Sequence, residues 1–251
     1  MPKSSAKEKI SFDELAILHR KLYGFDDPYL VERVYQCLKF FTPRVADNHS
    51  IELADFGCGD FRASRLISLQ IPKIKSFYCV DISLESVDED TPFNVLIHDL
   101  NYGDLSITSN SLDFVYGLEV IEHLWNTDVF ISNIHRILKP KGLLLLTTPN
   151  LNAWYNRFLV PLGVLPIHYE VSFKKKYGRI LERLGEGDKA VGHIRVFTPY
   201  ALSKLLEDNG FEILNCAGLR FLFSGFVSGI DRMFAAFPSL SSMFLILAKK
   251  R

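Results

Sequence analysis

From residue 51 onward the chain alternates short apolar runs with segments whose apolar residues recur every three or four positions. Runs of about five residues closed by a carboxylate or glycine read as strands, and three-to-four spacing reads as helix. Strands are therefore predicted over Ile51–Phe56, Phe77–Asp81, Asn94–His98, Leu112–Gly117 and Leu143–Thr148. Helices are predicted over Ala63–Leu69 and Asp128–Leu138, the second with Ile131, Ile134 and Leu138 inward and stopped by Pro140 and Gly142. Leu143–Thr148 is apolar almost throughout, as suits a parallel strand covered on both faces. Alternation of this kind predicts an α/β fold with a doubly wound, mostly parallel sheet.

The pattern differs at both ends and in the middle. Residues 1–50 read as helices that cover one face of the sheet and lid its upper edge. Ser11 and Glu14 form a capping box before Leu15, Leu18 and Leu22. Asp27-Pro28 opens a second helix with Val31, Val34, Leu38 and Phe41 on one face. Residues 150–197 break the rhythm inside the domain that spans 51–251, and a long insertion after a strand's carboxyl end usually carries substrate-specific parts. It contains His168, Tyr169 and the run Lys174-Lys175-Lys176. Regular structure resumes with Thr198 as cap, a helix bearing Ala201, Leu202, Leu205 and Leu206, a stop at Gly210, and strands over Phe211–Asn215 and Met243–Ala248. The stripe Phe226, Ile230, Met233, Phe234, Phe237 is expected to pack on the core or close the substrate pocket, with contact at a membrane interface as the competing use.

Composition narrows the partners. Lys+Arg and Asp+Glu are both 29, so no global charge draws the chain to nucleic acid, which is not an expected partner. Cys37, Cys58, Cys79 and Cys216 are scattered without a C-x-x-C pair, and are expected to be reduced thiols of a cytoplasmic protein. The first residues lack the apolar core of a signal peptide, and no uncharged apolar run reaches the length of a membrane span.

The chemistry concentrates at strand ends. Leu53-Ala54-Asp55-Phe56-Gly57-Cys58-Gly59-Asp60 carries an apolar strand through two glycines into a helix. Glycine permits a tight turn and a close approach to a ligand. Asp81 closes the next strand, where a carboxylate accepts hydrogen bonds from both hydroxyls of a ribose. The pair describes a nucleoside-cofactor site. A dinucleotide fingerprint needs a third glycine three residues after Gly59, and that position is Arg62.

Five segments in order complete a resemblance: Ala54–Gly59, Val80-Asp81-Ile82-Ser83, His98-Asp99-Leu100, Leu118-Glu119-Val120-Ile121-Glu122-His123-Leu124 and Leu138-Lys139-Pro140-Lys141-Gly142. The chain resembles the class I S-adenosylmethionine-dependent methyltransferases, and looks most like the small-molecule branch that includes the ubiquinone-pathway O-methyltransferases. The resemblance implies a seven-stranded Rossmann-like methyltransferase sheet with an antiparallel last strand. It implies S-adenosylmethionine as cofactor, with Asp55 favouring the ammonium, Gly57 and Gly59 under the methionine part, and Asp81 and Ile82 at the ribose. Asp99 and Leu100 would meet the adenine, and Glu119 the cofactor. Phe61 stands where the family has a small residue and is expected to narrow the loop.

Glu119-x-x-Glu122-His123 follows the fourth strand and faces the transferred methyl. Methyl transfer from a sulfonium leaves a neutral thioether, so in-line positioning is the main task. A hydroxyl nucleophile also needs a base, for which His123 is the candidate, oriented by Glu122. Glu119, Glu122, His123 and the later His193 also form an N/O set for a divalent metal ion, resembling sites of some quinone and RNA 2′-O-methyltransferases. Arg195 is expected to pair with a core carboxylate rather than an acidic substrate. The expected function is O-methylation of a small or lipid-linked acceptor, a sugar or quinone-type phenol, by a cytoplasmic protein with a membrane-peripheral variant of that location. The rivals are a metal-dependent RNA 2′-O-methyltransferase and a non-catalytic interaction module on the same fold.

Overall fold

A computed structural model describes residues 10–45, 50–71, 73–83, 91–103, 105–178, 189–221, 223 and 225–251, with side chains for all but 41–45. Phe41 and the first nine residues, both read above, lie outside the described side chains.

The N-terminal segment forms α1 (Phe12–Tyr23) and α2 (Pro28–Val45). In α1 the capping box is reciprocal: Glu14 N–H donates to Ser11 Oγ (3.3 Å) and Ser11 N–H to Glu14 Oε2 (2.8 Å). Leu15 is fully buried, but Leu22 is 47% exposed and His19 takes the inner position at the helix end instead. His19 is held there by a ring-nitrogen contact to Phe25 O (3.1 Å), which turns the inner face by one position.

Seven strands follow: β1 (Ile51–Phe56), β2 (Ile74–Asp81), β3 (Asn94–Ile97), β4 (Leu112–Leu118), β5 (Leu138–Pro149), β6 (Phe211–Leu219) and β7 (Met243–Lys250). Helix α3 (Arg62–Gln70) joins β1 to β2, and α4 (Thr127–Ile137) joins β4 to β5. A one-turn helix α5 (Asn156–Leu159), then α6 (Pro199–Asp208) and α7 (Gly225–Phe234), complete the chain. The sheet order is β3-β2-β1-β4-β5-β7-β6, and β7 runs antiparallel to both neighbours while the rest are parallel. The expected seven-stranded sheet with an antiparallel last strand is the one observed.

Both faces of the sheet are covered. Alternate residues of each strand go to opposite cores: Ala54, Phe56 and Val115 join Phe130, Ile134 and Leu202 on the α4–α6 face. Leu53, Phe114 and Tyr116 join Leu15, Val34 and Leu66 on the α1–α3 face. This two-sided burial explains the near-continuous apolar strands.

Two elements depart from the sequence reading. β5 starts at Leu138, five residues before the expected Leu143. Leu138 already pairs with Leu112, and the ladder then shifts before Phe114 meets Leu143, so Lys139–Gly142 bulge out of a strand rather than precede it. The α7 stripe is split: Phe226, Met233 and, past the helix end, Phe237 are 85%, 58% and 57% exposed, while Ile230 and Phe234 are half-buried and Phe234 stacks on Trp154 (5.5 Å). The buried point of α7 is Asp231, whose carboxylate accepts from Trp154 Nε1 (3.0 Å), Phe221 N–H (2.7 Å) and Ser242 Oγ. Three donors on a buried carboxylate fix the helix on its polar side, against the expectation from apolar spacing.

Candidate active site and cofactor cavity

The turn between β1 and α3 is built around glycine. Gly57 has φ +77°, and a Cβ there would sit 2.7 Å from Val120 Cγ2, so no side chain fits. Gly59 N–H donates to Asp81 Oδ2 (2.8 Å), while Ile82 N–H donates to Oδ1 (2.8 Å). Oδ1 takes a second, longer bond from Ser83 N–H (3.4 Å), so of the two lone pairs on each carboxylate oxygen one remains on Oδ2 for a ribose hydroxyl. Phe61 does not narrow this loop. It is 1% exposed, with its ring stacked 6.0 Å from Phe93 in the core beneath. Its positive φ of 62° carries the side chain inward, which is the correction to the expected obstruction.

A cavity of about 460 Å³ opens at this turn, lined by Arg33, Asp55, Gly57, Gly59 and Asp81 among others. That volume is within the range of small-ligand sites. Asp55 is 1% exposed and accepts from Ser64 Oγ (2.6 Å) and Tyr116 OH (3.0 Å). Burial pushes its carboxyl up to about 7 against the two hydrogen bonds, so it lies under the cavity as a neutral or half-ionised acid. Ile82, Asp99 and Leu100 are not among the lining residues. Asp99 Oδ1 accepts from Asn101 N–H (2.9 Å) and Nδ2 (2.8 Å), and Leu100 is buried in the α4–α6 core.

Beyond Leu118 the backbone turns sharply. Glu119 adopts φ 62°, a left-handed conformation that costs a non-glycine residue about 1 kcal/mol and is held by its N–H donating to Thr147 O (3.2 Å) and Oγ1 (3.1 Å). A 3-10 turn then presents Glu122 and His123. Glu122 is 1% exposed; Oε2 accepts from Thr148 Oγ1 (3.0 Å), and Oε1 has no hydrogen-bond partner. Burial first, and the neighbouring Glu119 second, hold its carboxyl well above the carboxylate range. Burial also raises Glu119, with the Arg33 guanidinium opposing. His123 is lowered by burial.

The insertion returns to this corner. His123 Nδ1 donates to Gly192 O (3.1 Å) and His193 Nδ1 to His168 O (3.1 Å), since a carbonyl only accepts. Each ring therefore carries its lone pair at Nε2. One ligand atom from each of Glu122, His123 and His193 lies within 4.8 Å of the others. The four-residue set read from sequence is thus three: Glu119 is outside it, near the Arg33 guanidinium, and like Ile82, Asp99 and Leu100 it is not among the residues that line the cavity.

The family model of a methyltransferase domain matches residues 29–215. The chain belongs to the S-adenosylmethionine-dependent methyltransferase family. A Mycolicibacterium smegmatis protein named "Probable S-adenosylmethionine-dependent methyltransferase" is 30% identical over 168 residues, 67% of this chain and 54% of that protein. The chain therefore spans about half the length of that relative. A ubiquinone biosynthesis O-methyltransferase of Rickettsia canadensis is 24% identical over 193 residues, covering 76% of this chain and 72% of the relative. Among solved structures, an S-adenosylmethionine-dependent methyltransferase of Mesorhizobium loti superposes with a TM-score of 0.54 at 16% identity, covering 87% of this chain and 98% of that one. One from Archaeoglobus fulgidus gives 0.51 at 19%, covering 93% and 99%. At these identities the structural likeness shows the fold.

Two residues of this chain escaped the sequence reading. Arg33 of α2 lines the cavity with its Nε buried and without a hydrogen-bond partner. Its only signal is a charge beside the apolar stripe of α2. Glu170 sits in the insertion, where no period exists to place it. Among the described residues Arg195 pairs with no carboxylate: its Nη2 donates to Trp125 O, and its N–H to Glu122 O (3.0 Å).

Proposed function

We propose that this chain transfers the methyl group of S-adenosylmethionine to an oxygen of a small acceptor. The observation that carries this reading is the glycine-and-Asp81 cavity, lined by Leu118 at the end of β4, with the convergent Glu122, His123 and His193 beginning four residues beyond that leucine in the chain. In the proposed step an acceptor oxygen forms a bond to the methyl carbon as the carbon–sulfur bond breaks. The bonding pair stays on sulfur, leaving a neutral thioether. The acceptor's proton passes to His123 Nε2, whose lowered affinity for protons keeps it a neutral base at pH 7. Asp81 would hold the ribose, Glu119 and Arg33 the methionine end, and Asp99 with Leu100 the adenine side.

The donor set also fits a divalent metal: a buried carboxylate with an unpartnered Oε1, and two imidazoles with their lone pairs at Nε2. In that alternative Glu122, His123 and His193 would hold it, His123 Nε2 serving as ligand in place of base, and such an ion would lower the pKa of an acceptor hydroxyl. Glu122 would bind it as the carboxylate, against the burial that disfavours its charge. Calorimetry with S-adenosylmethionine, followed by His123→Ala assayed on phenolic acceptors, tests the assignment. Cofactor affinity is expected to be unchanged and turnover to fall by about 100-fold. Full turnover in the variant would remove His123 as base.

A lipid-linked acceptor is favoured by the outward Phe226, Met233 and Phe237 beside Arg232. Among the described residues no helix is long and apolar enough to cross a membrane, so contact would be peripheral. Co-sedimentation with anionic vesicles is expected to fall several-fold in Phe226→Ser/Met233→Ser, and equal binding would remove the membrane reading.

A further inference from the structure

The two imidazoles are aimed by backbone, and that backbone is gripped by one carboxylate. Glu170 Oε2 accepts from three consecutive amides, Val191 (3.1 Å), Gly192 (2.8 Å) and His193 (3.2 Å), and Oε1 accepts again from Val191 (3.1 Å). Three successive N–H groups turned to one anion make a backbone nest. The middle residue is Gly192, whose φ of +92° a side chain would strain. Its carbonyl, pointing away from the nest, takes the Nδ1 proton of His123.

The same grip reaches the second ring. His193 follows Gly192, and its Nδ1 donates to the carbonyl of His168, two residues before Glu170. Glu170 thereby joins the loop segment that orients His193 to the loop segment that carries it. On the other side, Ile194 and Arg195 N–H donate to Glu122 O (2.8 and 3.0 Å), so residues 191–195 lie between the Glu170 carboxylate and the Glu122 backbone. The ring centroids of His123 and His193 are held 4.9 Å apart. Glu170 is not among the residues that line the cofactor cavity.

We propose that Glu170 is a positioning residue for the acceptor site: by nesting the amides of 191–193 it fixes His123 and His193 as Nδ1–H tautomers with both lone pairs at Nε2. This rests on the reading of Glu122, His123 and His193 as that site. A loop closure without this role would leave the ring tautomers indifferent to Glu170. Removing the carboxylate exposes three unpaired amides and lets the carbonyls of Gly192 and His168 move, so each ring samples both tautomers.

Side-chain ¹H–¹⁵N correlation spectra of the full chain at about pH 8, above the imidazole range, read this directly. Wild type is expected to show both rings as single Nδ1–H tautomers. Glu170→Ala is expected to average their nitrogen shifts, and Glu170→Gln, whose amide oxygen reaches the same three donors, to restore them. Unmoved tautomers in Glu170→Ala overturn the proposal. S-adenosylmethionine affinity serves as the folding control and is expected to be unchanged. Should the alanine variant unfold, Glu170→Asp is too short to reach all three amides, and unmoved signals there overturn the proposal equally. Cobalt(II) absorbance titration is the second readout, with affinity expected to fall 10-fold or more in Glu170→Ala. Wild type taking no cobalt while the tautomers respond would defeat the metal reading and support the positioning one.

Discussion

At the residue scale, the acid that lines the cavity under the glycine turn also makes the fold's stability depend on pH. Asp55 is buried against Ser64 and Tyr116, and its carboxyl is pushed up to about 7 from 3.8. Between those values the unfolded chain has released this proton while the folded one keeps it. Stability therefore declines as pH rises from about 4 to about 7, by at most about 1.4 kcal/mol per pH unit from this group. Urea midpoints across that range are expected to fall in wild type and to fall less in Asp55→Asn, which retains an acceptor for both hydroxyls. Gly57→Ala, with its Cβ 2.7 Å from Val120, is expected to lose about 1–3 kcal/mol by chemical denaturation and to weaken cofactor binding. Gly57, Gly59 and Asp81 were legible because their demands are local: a positive φ, a close approach, a strand end. The partners of Asp55 were not, since Tyr116 is 61 residues away and only the β1–β4 pairing brings it near. Phe61 misled for a related reason, its direction being set by one backbone angle.

At the scale of elements, apolar period located every strand and most helices, because burial on both faces writes itself into consecutive residues. Boundaries slipped where a bulge replaced a break, at Lys139–Gly142, and where a buried charge overruled an apolar stripe, at Asp231. Arg62, which removed the dinucleotide reading, has a positive task. Its Nη1 bonds Asp27 Oδ2 (2.9 Å), its Nε bonds Asp60 Oδ2 (2.6 Å), and its guanidinium lies 5.4 Å from the Phe25 ring centre. These contacts tie the α1–α2 pair to the glycine turn, and α2 supplies Leu30 and Arg33 to the cavity. Arg62→Ala is expected to speed cofactor release and weaken binding by 3- to 10-fold, with little change in melting temperature. Stopped-flow fluorescence checks this, and an unchanged release rate would show that the helices do not act as a lid.

For the whole molecule, the sheet brings two separately encoded regions together at its upper edge. One is the nucleoside cavity, whose residues lie within short segments and could be read in order. The other is the Glu122–His123–His193 corner, which exists only because the insertion folds back, with Glu170 gripping residues 191–193. Long-range closure of that kind leaves no periodic trace, so its members were nameable and its geometry was not. Ligand occupancy should be visible globally: S-adenosylmethionine at 100 times its Kd adds about 2.7 kcal/mol, or roughly 5–10 °C in Tm. The most direct test of the cofactor assignment is titration calorimetry of wild type and Asp81→Ala with S-adenosylmethionine. One-to-one binding by wild type, with affinity lowered at least 10-fold in the variant, is expected. No binding heat and no thermal shift in wild type would contradict it.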